Sequence, residues 1–292
     1  MALEGEKFID VDGVRTRYVD RGAGETIVLF HGGNFGSTGS ADATDDWGST
    51  IDDIAKWGRV VAIDKLGQGY TGNPKSDDDY TIAAVVDHAH QTLRTLGIES
   101  AHLVGHSRGG YLTCRLTVDH PELAKSCVIV SSNTCAPGTG GNEKVFANKP
   151  TPSLTAESQR WVLEKYSYSA DCVTDEWVDA LTAIAQQQSY AEAVDKMTQD
   201  GYLWTKFLPG LLTDKEDMFR LLQTRGIQRP VLQIWGYNDP TVSHAQAYEL
   251  YRILAEKERR ARWQTLNEAG HFCYREQRKR FNEVLRSFVA NA

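Results

Sequence analysis

Two hydrophobic periods alternate along the chain. Lys7 to Asp20 runs apolar and polar residues in turn around Asp12-Gly13, which predicts a β-hairpin. Short, nearly continuous apolar runs follow: Thr26 to Phe30, Val60 to Ile63, His102 to Val104, Val128 to Val130 and Val231 to Trp235. Runs of this kind suit strands buried on both faces, as in parallel sheets. Between several of them the period becomes helical. Ile82 to Leu96 is stopped by Gly97, and Gly109 to His120 by Pro121. Strands alternating with helices predict an α/β fold built on a doubly wound, mostly parallel sheet.

The alternation breaks after Val130. Cys135 to Gly141 carries Pro, Gly and Thr, a loop signature. Thr155 to Gln223 reads as helices without a buried strand, and strand–helix order resumes at Pro230. This predicts a core of residues 1–134 and 226–292 and an inserted helical cap of residues 135–225. The cap holds Trp161, Tyr166, Tyr168, Trp177, Tyr190, Tyr202 and Trp204. An apolar cleft between cap and core is expected, with at least half of these rings packing the cap itself.

Composition narrows the function classes. The 292 residues are 41% apolar and 24% charged, enough for a sizeable core. A net charge of −7 argues against nucleic acid or an anionic membrane as partner. Five cysteines without CxxC or Cys/His spacing predict reduced thiols and no metal site. The N-terminal residues lack the apolar run of a signal peptide, and no stretch approaches the ~20 apolar residues of a membrane helix. A cytoplasmic location is expected.

The chemistry concentrates in four loops. Leu103 to Gly110 leads a strand into Gly-His-Ser-Arg-Gly and then into a helix. The glycines permit a tight turn that presents Ser107 as a nucleophile. Serine needs a base, and His271 lies in a loop after the last strand candidate and before the C-terminal helix. Among the other histidines, His31 is expected to brace its loop and His106 to line the pocket or pack. His88 and His90 are expected on a helix surface, while His102, His120 and His244 lack a partner motif. Asp239, a short turn beyond Val231–Trp235, supplies the acid; Ser131, Ser132 and Asn133 at the end of the preceding strand offer no carboxylate. An oxyanion site needs two donors. One is the Arg108 N–H, and the other comes from Gly33 or Asn34 in the loop that begins at His31.

Taken together, HGGN from His31, DKLGQG from Asp64, GHSRGG from Gly105, WGYND from Trp235 and EAGH from Glu268 resemble the α/β-hydrolase superfamily over almost the whole length. The order Ser107, Asp239, His271 is the order of that superfamily, and it leaves Asp64 as structural. Within it, the chain resembles the meta-cleavage product hydrolases. The resemblance lies in the HGG-type loop, Gln68 to Pro74, a mid-sized cap and the overall length. Two places differ: members often carry asparagine before the nucleophile and tryptophan after the histidine, where this chain has His106 and Phe272.

The resemblance implies hydrolysis of a C–C bond in the vinylogous diketones formed by aromatic ring opening, without cofactor or metal. It implies a small hydrophobic or aromatic substrate touched by His106, Phe272, Arg160 and Trp204, and a homodimer. The family's cap arginine holds the substrate carboxylate. The corresponding helix here, read as Ala183 to Gln188, has none, so Arg108 or Arg160 is left for that task. The same machinery would serve a carboxylesterase or lactonase. A non-catalytic receptor on the same fold is disfavoured by the intact Ser107, Asp239 and His271.

Overall fold

Eight strands form one sheet in the computed structural model, which describes residues 3–138 and 140–292, with 143 and 144 as backbone only. The strands are β1 (Glu6–Val11), β2 (Val14–Arg21), β3 (Thr26–Phe30), β4 (Arg59–Ile63), β5 (Ala101–His106), β6 (Ala124–Val130), β7 (Val231–Gly236) and β8 (Arg262–Leu266). Their order is β1-β2-β4-β3-β5-β6-β7-β8. The β1/β2 hairpin is antiparallel, β2 joins β4 antiparallel, and all other pairs are parallel. Asp12 (φ 49°) and Gly13 (φ 81°) turn the hairpin, matching the twist that two-residue loops prefer.

The helices are α1 (Ser49–Ala55), α2 (Ile82–Thr95), α3 (Arg108–Asp119), α4 (Asn142–Phe146), α5 (Ala156–Tyr166), α6 (Asp175–Ala185), α7 (Gln188–Thr198), α8 (Leu208–Arg225), α9 (His244–Ala255), α10 (Cys273–Glu276) and α11 (Arg278–Val289). Alternate residues of each central strand feed opposite cores, which is why the runs are apolar throughout. Val28, Phe30, Val61, Leu103, Ile129 and Trp235 pack with residues of α2, α3, α8 and α9. Ile27, Leu29, Val60, Val104, Val128 and Ile234 pack with residues of α1 and α11. This is the α/β-hydrolase fold that the sequence predicts.

Three sequence expectations need correction. Val231 to Trp235 is not the last strand: β8, Arg-Trp-Gln-Thr-Leu, follows it at the sheet edge without an apolar run, and only Leu266 is fully buried. His88 is not on a surface but is buried against β2, its Nε2 3.0 Å from Thr16 Oγ1. It lies three residues after buried Val85 and four before buried Thr92, on the core stripe of α2. The helix read as Ala183 to Gln188 is a junction, with α6 ending at Ala185 and α7 starting at Gln188.

The inserted helices α4 to α8 lie between β6 and β7 in the chain. Three of their aromatic residues fasten them to the core. Trp177 Nε1 donates to Asp46 Oδ1 (2.9 Å), Tyr190 OH to the Ser37 carbonyl (2.8 Å), and Tyr202 OH to Asp77 Oδ2 (2.8 Å). A buried ring with a polar tip satisfies packing and hydrogen bonding together.

Candidate active site

The strands β3 to β8 all end at one rim of the sheet, and the loops that follow them converge there. Ser107 stands between β5 and α3 with φ 54° and ψ −122°, a conformation that costs energy for any residue with a Cβ. Its surroundings hold it there. Its N–H donates to the Val130 carbonyl (2.9 Å), and its own carbonyl accepts from Gly110 N–H (2.9 Å). A Cβ at Gly105 would fall 1.9 Å from the Gly109 carbonyl oxygen, and one at Gly109 2.3 Å from that of Phe30. Both glycines are therefore needed for strand and helix to approach this closely.

His271 Nδ1 lies 2.9 Å from Asp239 Oδ2. A carboxylate only accepts, so the ring proton sits on Nδ1 and Nε2 is left as a base. The Asp239 side chain is fully buried, and Thr241 completes its shell through N–H (2.8 Å) and Oγ1 (2.7 Å) to Oδ1. The His271 N–H donates to the Tyr166 carbonyl (2.7 Å) at the end of α5. Glu276 ties the same loop to the cap. It accepts from Gly270 N–H (2.6 Å), Tyr168 N–H (2.6 Å) and Ser169 N–H (3.1 Å), while burial pushes its carboxyl up.

Across the rim, the loop after β3 presents Gly32, Gly33 and Asn34. A Cβ at Gly32 would come 3.2 Å from that of Ser107, so this backbone lies against the serine. Lys65 N–H donates to His31 Nε2 (3.1 Å), which puts the His31 proton on Nδ1, bonded to the Gly32 carbonyl (2.9 Å). His31 thus braces the loop. Arg108 is the first residue of α3, and its N–H has no acceptor within the helix.

The structure separates the expected substrate contacts. His106 and Phe272 are buried behind the site: the His106 ring is 4.5 Å from that of His271 and 5.4 Å from that of Phe272, and its Nε2 is 3.0 Å from the His271 carbonyl. They support the histidine loop. Arg160 pairs with Asp175 and donates to the Val173 carbonyl (3.3 Å). Trp204 is 72% exposed. Neither lines the cavity of about 400 Å³ beside Asn34 and Arg108, which is bounded by Phe35, Phe146, Lys149 and Leu203 among others. Arg108 Nη1 is buried without a hydrogen-bond partner among the described residues, its guanidinium lies 5.0 Å from the centre of the Phe207 ring, and burial lowers it to about 10.

Sequence reasoning passed over Lys65, Asp42, Glu276 and Thr241. Lys65 carried one usable signal, a position just past the carboxyl end of a parallel strand, where such sheets place ligands. Asp64, beside it, is structural: it accepts from Thr44 N–H (2.7 Å), Tyr70 N–H (2.8 Å) and Arg17. No group of three or more His, Cys, Asp or Glu among the described residues could hold a metal ion, and no helix there is long and apolar enough to cross a membrane.

The family described as "alpha/beta hydrolase fold" matches residues 25–166. The 2-hydroxymuconate semialdehyde hydrolase of Pseudomonas sp. strain CF600 is 28% identical, covering 96% of this chain and 92% of its own. The 2-hydroxy-6-oxo-6-(2'-aminophenyl)hexa-2,4-dienoic acid hydrolase of Metapseudomonas resinovorans is 25% identical over 98% and 91%. A solved structure of the meta-cleavage product hydrolase CumD superposes with a TM-score of 0.80 at 26% identity, covering 100% of both chains.

Proposed function

We propose that this α/β hydrolase is a serine hydrolase that cleaves a carbon–carbon bond in 2-hydroxy-6-oxo-hexa-2,4-dienoate-type products of aromatic ring opening. The observation that carries the chemistry is the Asp239–His271 pair, which leaves a basic Nε2 at the rim that presents Ser107. The relatives and the CumD likeness support the substrate class.

The dienol substrate first tautomerises, losing its hydroxyl proton and gaining one at carbon, to become a ketone. His271 Nε2 accepts the Ser107 proton as Oγ attacks the carbonyl. The Arg108 N–H and the Gly33 or Asn34 N–H bind the resulting oxyanion. Collapse breaks the C–C bond, and the electron pair leaves as a dienolate that is protonated from His271. His271 then activates water, which releases the acyl group from Ser107 as a carboxylic acid. Between the two arginines left open by the sequence, placement favours Arg108 for the substrate carboxylate. It lies at a cavity whose lining, among the described residues, holds two cations, Arg108 and Lys149, and no acidic residue. An ionised carboxylate in that cavity would pair with the guanidinium through charge-assisted hydrogen bonds.

A substrate panel tests this. Yellow ring-opened dienoates and chromogenic esters are given to the purified protein and to Arg108→Met. The dienoate should be consumed far faster than esters, and the variant should raise KM for the dienoate about tenfold or more with little change for a neutral ester. Rapid ester turnover with inert dienoates would make the protein a carboxylesterase or lactonase instead. Binding without turnover of either would make it a receptor.

A further inference from the structure

Lys65 is a buried lysine that the mechanism above does not use. It is 3% exposed and lies in the turn after β4. Its side chain makes one hydrogen bond among the described residues, from Nζ to the Gly33 carbonyl oxygen (2.8 Å), and no carboxylate there lies within ion-pair distance. Burying an ammonium without a directly paired carboxylate is costly, so packing alone is a poor reason for a lysine here. Asp42 is packed on the same glycine, since a Cβ at Gly33 would fall 2.4 Å from Asp42 Oδ2.

We propose that Lys65 is a positioning residue for oxyanion binding: its Nζ, fixed on the Gly33 carbonyl, holds the Gly33 and Asn34 amides beside Ser107 and places positive charge behind them. The Gly33 carbonyl and the Asn34 N–H belong to one peptide. A cationic donor on the oxygen draws electron density from the nitrogen side, and the N–H becomes a stronger donor to developing negative charge. The Gly33 amide gains by orientation, because its residue is held at one end by Lys65 and its preceding peptide at the other by His31. The effect acts on whichever acyl or phosphoryl oxygen enters the site. It rests on Ser107 as nucleophile but not on the C–C reading.

The charge state of Lys65 sets the pH signature. Burial lowers its ammonium to about 7, against Asp42 and Asp46, which favour the charge, while Arg108 disfavours it further. His31 and His106 also face it and are held neutral, chiefly by their own burial. Above that pH the neutral amine still donates to Gly33 but without the charge, so the rate should step down to a lower plateau and not to zero.

The test uses a fluorophosphonate, which the Ser107 Oγ attacks at phosphorus with loss of fluoride, and whose phosphoryl oxygen needs the same donors. Labelling rates are measured from pH 5.5 to 9 for the unaltered protein, Lys65→Met and Lys65→Gln, with the adduct located by mass spectrometry. Lys65→Met should label Ser107 about 10- to 100-fold more slowly, below the full loss of a direct donor. It should also lack the step near pH 7. Lys65→Gln, a neutral donor, should be intermediate and equally lack the downward step, and serves if the methionine variant does not fold. Labelling of Ser107 at equal rates in all three, or a step that persists in Lys65→Met, overturns the role of Lys65 alone. Absence of any Ser107 adduct in the unaltered protein overturns the nucleophile and this role together.

Discussion

Replacing Ser107 by glycine and by alanine separates backbone strain from chemistry. Both variants lose the nucleophile, and only alanine keeps a Cβ at φ 54° and ψ −122°. Holding a non-glycine residue in such a region costs of order 1–3 kcal/mol. Glycine gives back about 0.5–1 kcal/mol because its unfolded chain is freer, and a few tenths more with the loss of a half-exposed methyl group. The net gain of Ser107→Gly over Ser107→Ala should be about 0.2–1.7 kcal/mol. An unfolding entropy of roughly 2.1 cal/mol/K per residue over 292 residues is about 0.6 kcal/mol/K, so Tm should rise by up to about 3 °C. Urea unfolding of the two inactive variants under one set of conditions measures the difference directly. A glycine variant no more stable than the alanine one would refute the claim that the fold holds Ser107 in a costly conformation.

Two further outcomes follow from hydrogen bonds at named atoms. Asp239→Asn keeps the shape but removes the acceptor that fixes the His271 proton on Nδ1, so kcat should fall by about 10⁴ while the unfolding midpoint stays close to that of the parent; steady-state kinetics with the dienoate checks it. Burial lowers the His88 imidazole to about 4. The unfolded chain therefore takes up that proton near pH 6.5 and the folded chain does not, and stability is lost as pH falls from 6.5 towards 4, by up to about 3 kcal/mol from this group. His88→Leu should shrink that loss in urea titrations across the interval, and an unchanged slope would remove His88 as its source.

The hairpin, the central strands, α2 and α3 were legible because each carries an unmixed period, two or 3.6 residues. The loops bearing Ser107, Asp239 and His271 were legible because glycines and chain order mark them. β8 was not, because a strand with one neighbour and an open edge has no need of continuous apolar residues. Arg160 and Trp204 could not be placed from their cap positions, since whether a helical side chain faces the core, the cavity or solvent depends on how α5 and the turn before α8 are tilted. The hydrogen bonds of the cap rings were not legible for a related reason: a ring whose hydroxyl or indole N–H reaches a core loop looks, in sequence, like any other packed ring.

Those anchored rings also restrict how the cover can move. Trp177, Tyr190 and Tyr202 pin the covering helices at three separated places, on Asp46, on the backbone near Ser37 and on Asp77. Each fastening belongs to a different part of the cover, so raising α6, α7 or the turn before α8 must first break the hydrogen bond that holds that part down.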